Sequence, residues 1–146
     1  MKIGEIMTRD VETLSPDTTA IDAMRRLFQR QISGLPVADG AGKLIGMFTE
    51  KDILRAILPS YVSQVGRFVY ENSPKTIKCK VAKLADHKVG DLMRKEVVKI
   101  GEEVPVCEVA HIMLTQDVRR VPVVDAQDKI RGIAARSDVL NCLLKG

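Results

Sequence analysis

From Ile32 to Leu54 the apolar positions fall into two short runs on either side of a turn. They read Ile-Ser-Gly-Leu-Pro-Val-Ala-Asp, then Gly40-Ala41-Gly42, then Lys-Leu-Ile-Gly-Met-Phe-Thr-Glu-Lys-Asp-Ile-Leu. Short apolar runs bounded by turn residues predict two buried strands joined as a hairpin, the second running into a helix whose first turn carries Thr49 and Asp52. The same pattern returns 86 residues along without a gap, as Val-Arg-Arg-Val-Pro-Val-Val-Asp from Val118 and Lys-Ile-Arg-Gly-Ile-Ala-Ala-Arg-Ser-Asp-Val-Leu from Lys129. The chain is two copies of one unit.

Each copy opens alike. Gly4-Glu5-Ile6-Met7-Thr8 precedes an extended piece at 11–14, and Gly90-Asp91-Leu92-Met93-Arg94 precedes one at 97–100. The turn Ser15-Pro16-Asp17-Thr18 delivers a helix with Thr18 as the expected N-cap, and Pro105 is expected at the first helical position of the second copy. Ala20, Met24, Leu27, Phe28 and Ile32 predict the buried face of the first helix, and Val106, Ala110, Met113, Leu114 and Val118 that of its counterpart. Pro36 and Pro122 sit inside the strand pair at equal positions. Because proline cannot donate to a ladder, they predict an edge or a sheet start with backbone groups beside them open to other contacts. Gly46 and Gly132 fall in mid-strand, which predicts close approach by another backbone or a ligand, or else simple packing against a helix. The unit reads strand, helix, strand, strand, helix, at about 50 residues too small to be stable alone and completed by its twin.

Between the copies lies a stretch with no counterpart. Tyr61, Val65, Phe68 and Val69 predict an amphipathic helix after the Pro59 break, and Val81, Leu84 and Ala85 a second. The expected organisation is a first repeat over 1–58, a helical insertion over 59–88 that caps the repeats or meets a partner, and a second repeat over 89–146.

Composition narrows the classes. The 146 residues are 45% hydrophobic and 29% charged, as in a soluble globular domain. No apolar run of the signal-peptide or membrane-span kind occurs, so a cytoplasmic location is expected. Three cysteines, Cys79, Cys107 and Cys142, have no paired spacing and are expected to be reduced and structural. The net charge of +4 is mild, and aromatics at 3% supply no stacking platforms beside the basic stretch Lys75 to Lys99. A solvated basic surface, or attraction of a small anionic ligand, is the expectation. His87 and His111 stand alone, no nucleophile is placed beside an orienting base, and no Walker-type loop occurs, which points away from an enzyme.

The chemistry gathers at Thr49-Glu50-Lys51-Asp52. A helix start offers unpaired amides and a positive dipole end suited to a phosphate, and a carboxylate one turn in can accept both hydroxyls of a ribose diol. The same Thr-x-x-Asp spacing also describes a capping box. In the second copy Ala135 replaces the threonine while Asp138 remains. Capping is therefore expected to leave Asp138 unexplained, whereas the helix dipole would account for it.

Taken together, Ile6-Met7-Thr8, Ser33-Gly34-Leu35-Pro36-Val37 and Gly46 to Asp52, repeated as Asp91-Leu92-Met93, Arg119 to Asp125 and Gly132 to Asp138, resemble tandem CBS domains, the pair that forms a Bateman module. The resemblance covers 2–58 and 89–144. It implies an α+β fold of two β-α-β-β-α units packed sheet to sheet about a pseudo-twofold axis. It further implies a non-catalytic regulatory module that binds AMP, ADP, ATP or S-adenosylmethionine in clefts between the repeats. Such a module has no obligatory cofactor, pairs into a homodimer and signals to a partner protein in trans, away from any membrane. By this resemblance Asp52 and Asp138 hold the ribose. Thr49, Lys51, Arg119, Arg120, Arg136 and Ser137 face the phosphates, with Ser137 or Arg136 standing in for the missing threonine at Ala135. Met7, Thr8, Leu35, Pro36, Met93, Val121 and Pro122 line the adenine. The alternatives are an interaction module without ligand and, further off, an RNA- or DNA-binding protein using the basic stretch.

Overall fold

The structure, a computed structural model, describes residues 1–57, 82 and 84–145. The expected helix bearing Tyr61, Val65, Phe68 and Val69 lies outside the described residues, as does Val81. Leu84 is buried in a 3-10 turn, Leu84–Asp86, and Ala85 is exposed.

The fold mixes helices and strands in two like repeats. The first repeat comprises α1 (Ala20–Arg30), β1 (Gly34–Ala38), β2 (Leu44–Thr49) and α2 (Glu50–Ile57). The second has a short entry helix α3 (Val89–Leu92), then α4 (Val106–Thr115), β3 (Arg120–Val124), β4 (Ile130–Ala135) and α5 (Arg136–Lys145). Ile3–Glu5, a 3-10 turn, is the first-repeat counterpart of α3. Each strand pair is an antiparallel hairpin. Asp39 Oδ1 accepts from the N–H groups of Ala41 and Lys43, and Asp125 Oδ1 from those of Gln127 and Lys129, so one aspartate closes each turn. Both turns require a left-handed residue. Gly42 (φ 82°) supplies it at no steric cost, and Asp128 (φ 63°) at the matching position is of a type that tolerates it.

Helix starts fall one residue later than the sequence predicts. The N-cap of α1 is Thr19, whose Oγ1 accepts from Asp22 N–H at 3.3 Å, while Thr18 closes the preceding turn with its N–H on the Ser15 carbonyl. Pro105 is itself the N-cap of α4, with ψ at 145°, and Val106 is the first helical residue. The buried stripes also differ from expectation. Ala20, Ala23 and Leu27 face inward in α1, and Val106, Val109 and Met113 in α4, whereas Phe28 and Leu114 are 76% and 80% exposed. A residue directly after a buried one is turned about 100° around the helix axis, which takes Phe28 and Leu114 off the core.

Pro36 and Pro122 are the middle residues of their strands, and their carbonyls are not open. Leu14 N–H donates to Pro36 O at 2.9 Å and Ile100 N–H to Pro122 O at 3.1 Å, adding a parallel neighbour to each pair. On the other side Thr8 and Ile133 exchange two hydrogen bonds at 2.9 Å, as do Met47 and Arg94. Thr8 opens the first repeat and Ile133 belongs to the second; Arg94 opens the second and Met47 belongs to the first. Each repeat's entry segment therefore completes the other repeat's sheet.

The same exchange is visible in the two compact units of the chain. One contains 1–13, 38–45 and 96–146, the other 14–37 and 46–95. The glycines in mid-strand explain how the exchange is accommodated. A Cβ at Gly132 would lie 2.7 Å from Thr8 O, and one at Gly46 would lie 2.7 Å from Arg94 O, so backbone approaches backbone at both. The core of the first unit gathers Ile3, Met7, Ile100, Val106, Val109, Met113, Val121, Val123, Ala134 and Val139. In the second unit Phe48, Leu14, Val37 and Val89 are among the fully buried side chains. Among the described residues no helix is long and apolar enough to cross a membrane.

Candidate functional site

In the second unit Thr49 ends β2 at the N-cap position of α2, and Asp52 is the third helical residue. Asp52 is 4% exposed. Its Oδ2 accepts from the Thr49 N–H at 2.8 Å and from Thr49 Oγ1 at 3.2 Å, and its Oδ1 accepts from Arg55 at 3.2 Å. A carboxylate offers about four acceptor positions, so Asp52 retains about one beyond these partners. Arg55 has no place in the candidate set drawn from the sequence; its i,i+3 spacing from Asp52 was the available signal.

The first unit corrects the expectation about Asp138. Its Oδ2 accepts from the Ala135 N–H at 2.8 Å, the same bond that Asp52 makes to Thr49. The half of a capping box that returns from the helix needs only a backbone N–H, so an alanine at the N-cap serves as well as a threonine. Capping accounts for both aspartates. Beyond it the two differ in exposure, for Asp138 is half-buried where Asp52 is buried.

A cation lies close enough to the Asp138 carboxylate to feel its charge. In the β3–β4 register Arg120 lies directly opposite Ala135. The half-buried Arg120 guanidinium is held below its usual value by burial, partly offset by the Asp138 carboxylate. Arg119, Arg136 and Ser137 are exposed, as is Lys51 at the first-repeat site. The first helical amides are already engaged: Arg136 N–H donates to Arg119 O and Glu50 N–H to Ser33 O, both at 2.9 Å. With the N-cap amides taken by Asp138 and Asp52, an anion at either helix start has fewer free donors than an isolated helix end would offer.

Strand alternation sorts the remaining candidates. Val121, Val123 and Ala134 join the core, so Arg120, Pro122, Ile133 and Ala135 occupy the opposite face, with Thr8 paired to Ile133. Met7 and Val121 are core residues in the first unit. Gly34, Pro36, Met47 and Thr49 occupy the corresponding positions of the second unit, with Arg94 paired to Met47 and Leu35 buried. Met93 is half-buried with its sulfur against Gly46. Ile133 and Met47 are missing from the sequence-based set, although each lies two residues before the N-cap position and shares its face.

Two repeats with matched carboxylate caps and exchanged entry strands define the class, and the comparison with known families agrees. The CBS domain model matches residues 3–59 and 89–145, and the chain belongs to that family as a tandem pair. It is 30% identical to a CBS domain-containing protein of Dictyostelium discoideum over 143 residues, covering 98% of this chain and 91% of that one. It is 32% identical to the inosine-5'-monophosphate dehydrogenase of Methanocaldococcus jannaschii over 95% of this chain, but spans only 23% of that enzyme. Among solved structures it superposes on the CBS-pair protein CBSX2 of Arabidopsis thaliana with a TM-score of 0.80 at 26% identity, covering 99% of this chain and 94% of that one. CBSX2 has also been solved in complex with AMP, with a TM-score of 0.76, 26% identity and coverage of 99% and 96%.

Proposed function

We propose that this chain is a non-catalytic regulatory module that binds an adenosyl ligand at the strand face of each unit and passes the binding energy to a partner protein. The observation that carries the reading is the carboxylate cap made twice, by Asp52 and Asp138, each fixed by its own backbone bond at the edge of a face holding a proline and a paired entry residue. A carboxylate held in place loses little freedom on taking a ribose hydroxyl. Asp52 and Asp138 serve the ribose. Thr49, Lys51, Arg119, Arg120, Arg136 and Ser137 are nearest the phosphates, and Thr8, Pro36 and Pro122 the purine. The AMP complex of CBSX2 supports the ligand class. Regulation then follows from differential affinity for two conformations.

Thermal unfolding with AMP, ADP, ATP or S-adenosylmethionine tests this. A ligand at a hundredfold excess over its Kd is expected to stabilise the protein by about 2.7 kcal/mol, and so to raise Tm by about 5–11 °C for a chain of this size. The gain over the unliganded variant should shrink in Asp138→Ala and in Asp52→Ala. A shift of the same size in both variants would refute the assignment.

Exposed apolar side chains favour self-association as part of this function. Phe28 and Leu54 in one repeat, and Leu114 and Leu140 in the other, occupy matching helix positions and are all more than half exposed. We propose that a second copy covers them, since a twofold dimer presents the same patch from both sides. Sedimentation should give a dimer that Leu114→Lys with Leu140→Lys converts to monomer. A wild-type monomer at micromolar concentration would rule it out.

A further inference from the structure

Cys107 and His111, expected from the sequence to be a structural thiol and a lone histidine, share one face of α4. They are four residues apart on a helix that runs from Val106 to Thr115, so their side chains leave that face about one turn apart. Neighbours at this spacing have Cβ atoms about 5–6 Å apart, close enough for a thiolate and an imidazole to reach one metal ion at about 2.3 and 2.0 Å. Both side chains are exposed, and Cys107 is a free thiol. The helix turns its other side, with Val106, Val109 and Met113, to the core.

The exposed stripe also takes in Leu114. Seven residues after Cys107 and three after His111, it lies within about 60° of both around the helix axis. It is 80% exposed. At the matched positions the first repeat has Ile21, Arg25 and Phe28, so the exposed apolar residue is common to both repeats and the ligand pair belongs to one.

Among the described residues no group of three or more histidine, cysteine or carboxylate side chains gathers where it could hold a metal ion. One chain therefore offers this pair alone, whereas a closed zinc site takes four ligands. A twofold axis through the stripe supplies them, since whatever one copy contributes the other contributes equally. Two thiolates and two neutral imidazoles also cancel the charge of the ion. Such a site can be covered beside Leu114 without burying net charge.

We propose that Cys107 and His111 form a zinc site shared by two copies of this chain, each giving one sulfur and one nitrogen, which sets first unit against first unit in the dimer. The inference rests on the self-association reading above and adds to it a metal and an orientation.

Sedimentation of the full chain in chelator and in zinc tests it, together with cobalt as a coloured substitute for zinc. One zinc should bind per two chains, and free zinc at about a hundredfold excess over its Kd should tighten the dimer by about a hundredfold. Cobalt should show thiolate charge-transfer absorption and the intense visible bands of a tetrahedral ion. Cys107→Ser and His111→Gln should each lose the zinc response, measured against the same variant in chelator. Cys79→Ser and Cys142→Ser, which remove the other thiols, should keep it. In Leu114→Lys with Leu140→Lys the tetrahedral cobalt bands should vanish, because a lone chain brings half the ligands. A dimer that forms in chelator and does not tighten with zinc, or a zinc response that survives Cys107→Ser, overturns the inference while self-association stands. A monomer in both chelator and zinc removes both.

Discussion

Replacing Gly46 with valine is expected to destabilise the protein by about 3 kcal/mol, the upper end for overpacking a filled site, and to lower Tm by about 6–12 °C. The new Cβ would lie 2.7 Å from Arg94 O and 2.8 Å from Met93 Sδ. The oxygen belongs to backbone, which has no rotamer to escape into. Arg94 and Met47 exchange two hydrogen bonds at 2.9 Å, so the strain falls on the bonds that hold the entry segment. Gly132→Val should behave alike through Thr8 O. Gly40, with nothing within 4 Å of its Cβ position, provides the control, and Gly40→Ala should stay within about 0.5 kcal/mol of wild type. Urea unfolding measures all three. A cost below about 1 kcal/mol for Gly46→Val would mean that the entry segment yields easily and is not a fixed part of the sheet.

Truncating Phe48 to alanine should cost more, about 3–5 kcal/mol. Its side chain is fully buried and is the largest of the fully buried side chains among the described residues. The position also bears on function. Phe48 stands between Met47, which holds the entry segment, and Thr49, which holds Asp52. A cavity there loosens the strand from which the site is built, so ligand affinity should fall with stability. The counterpart, Ala134, is fully buried with a far smaller side chain, so the two cores are alike in plan and not interchangeable residue by residue. Retention of wild-type stability in urea by Phe48→Ala would show that the second unit's core does not depend on this ring.

The duplicated hairpins were legible because alternating apolar runs, glycine turns and a fixed repeat spacing all point to one answer. The capping aspartates were legible as residues of interest for the same reason. Their chemistry was less so: the bond from Ala135 N–H to Asp138 cannot be inferred by looking for a side chain at position 135, since the donor is backbone. The core faces of α1 and α4 were half legible. Helical spacing alone allows Leu27 and Phe28 to share a face, and only packing shows that Ala23 and Val109 complete the stripe. Gly46 and Gly132 announced a close neighbour without naming it. Which strand an entry segment joins depends on contacts remote in sequence, and local pattern holds no record of that choice.

The reciprocal hydrogen bonds of Thr8 with Ile133 and of Arg94 with Met47 have a consequence for ancestry. A lone progenitor of one repeat would have carried a bare sheet edge and an arm with nowhere at home to dock. Such a molecule closes its edge by lending the arm to a sister molecule and borrowing hers, a swapped pair whose survival depends on concentration. Fusing two such chains end to end turns that loan into an internal one and frees it from dilution. Once fused, the halves were at liberty to diverge, and a glycine on one side could become an arginine on the other.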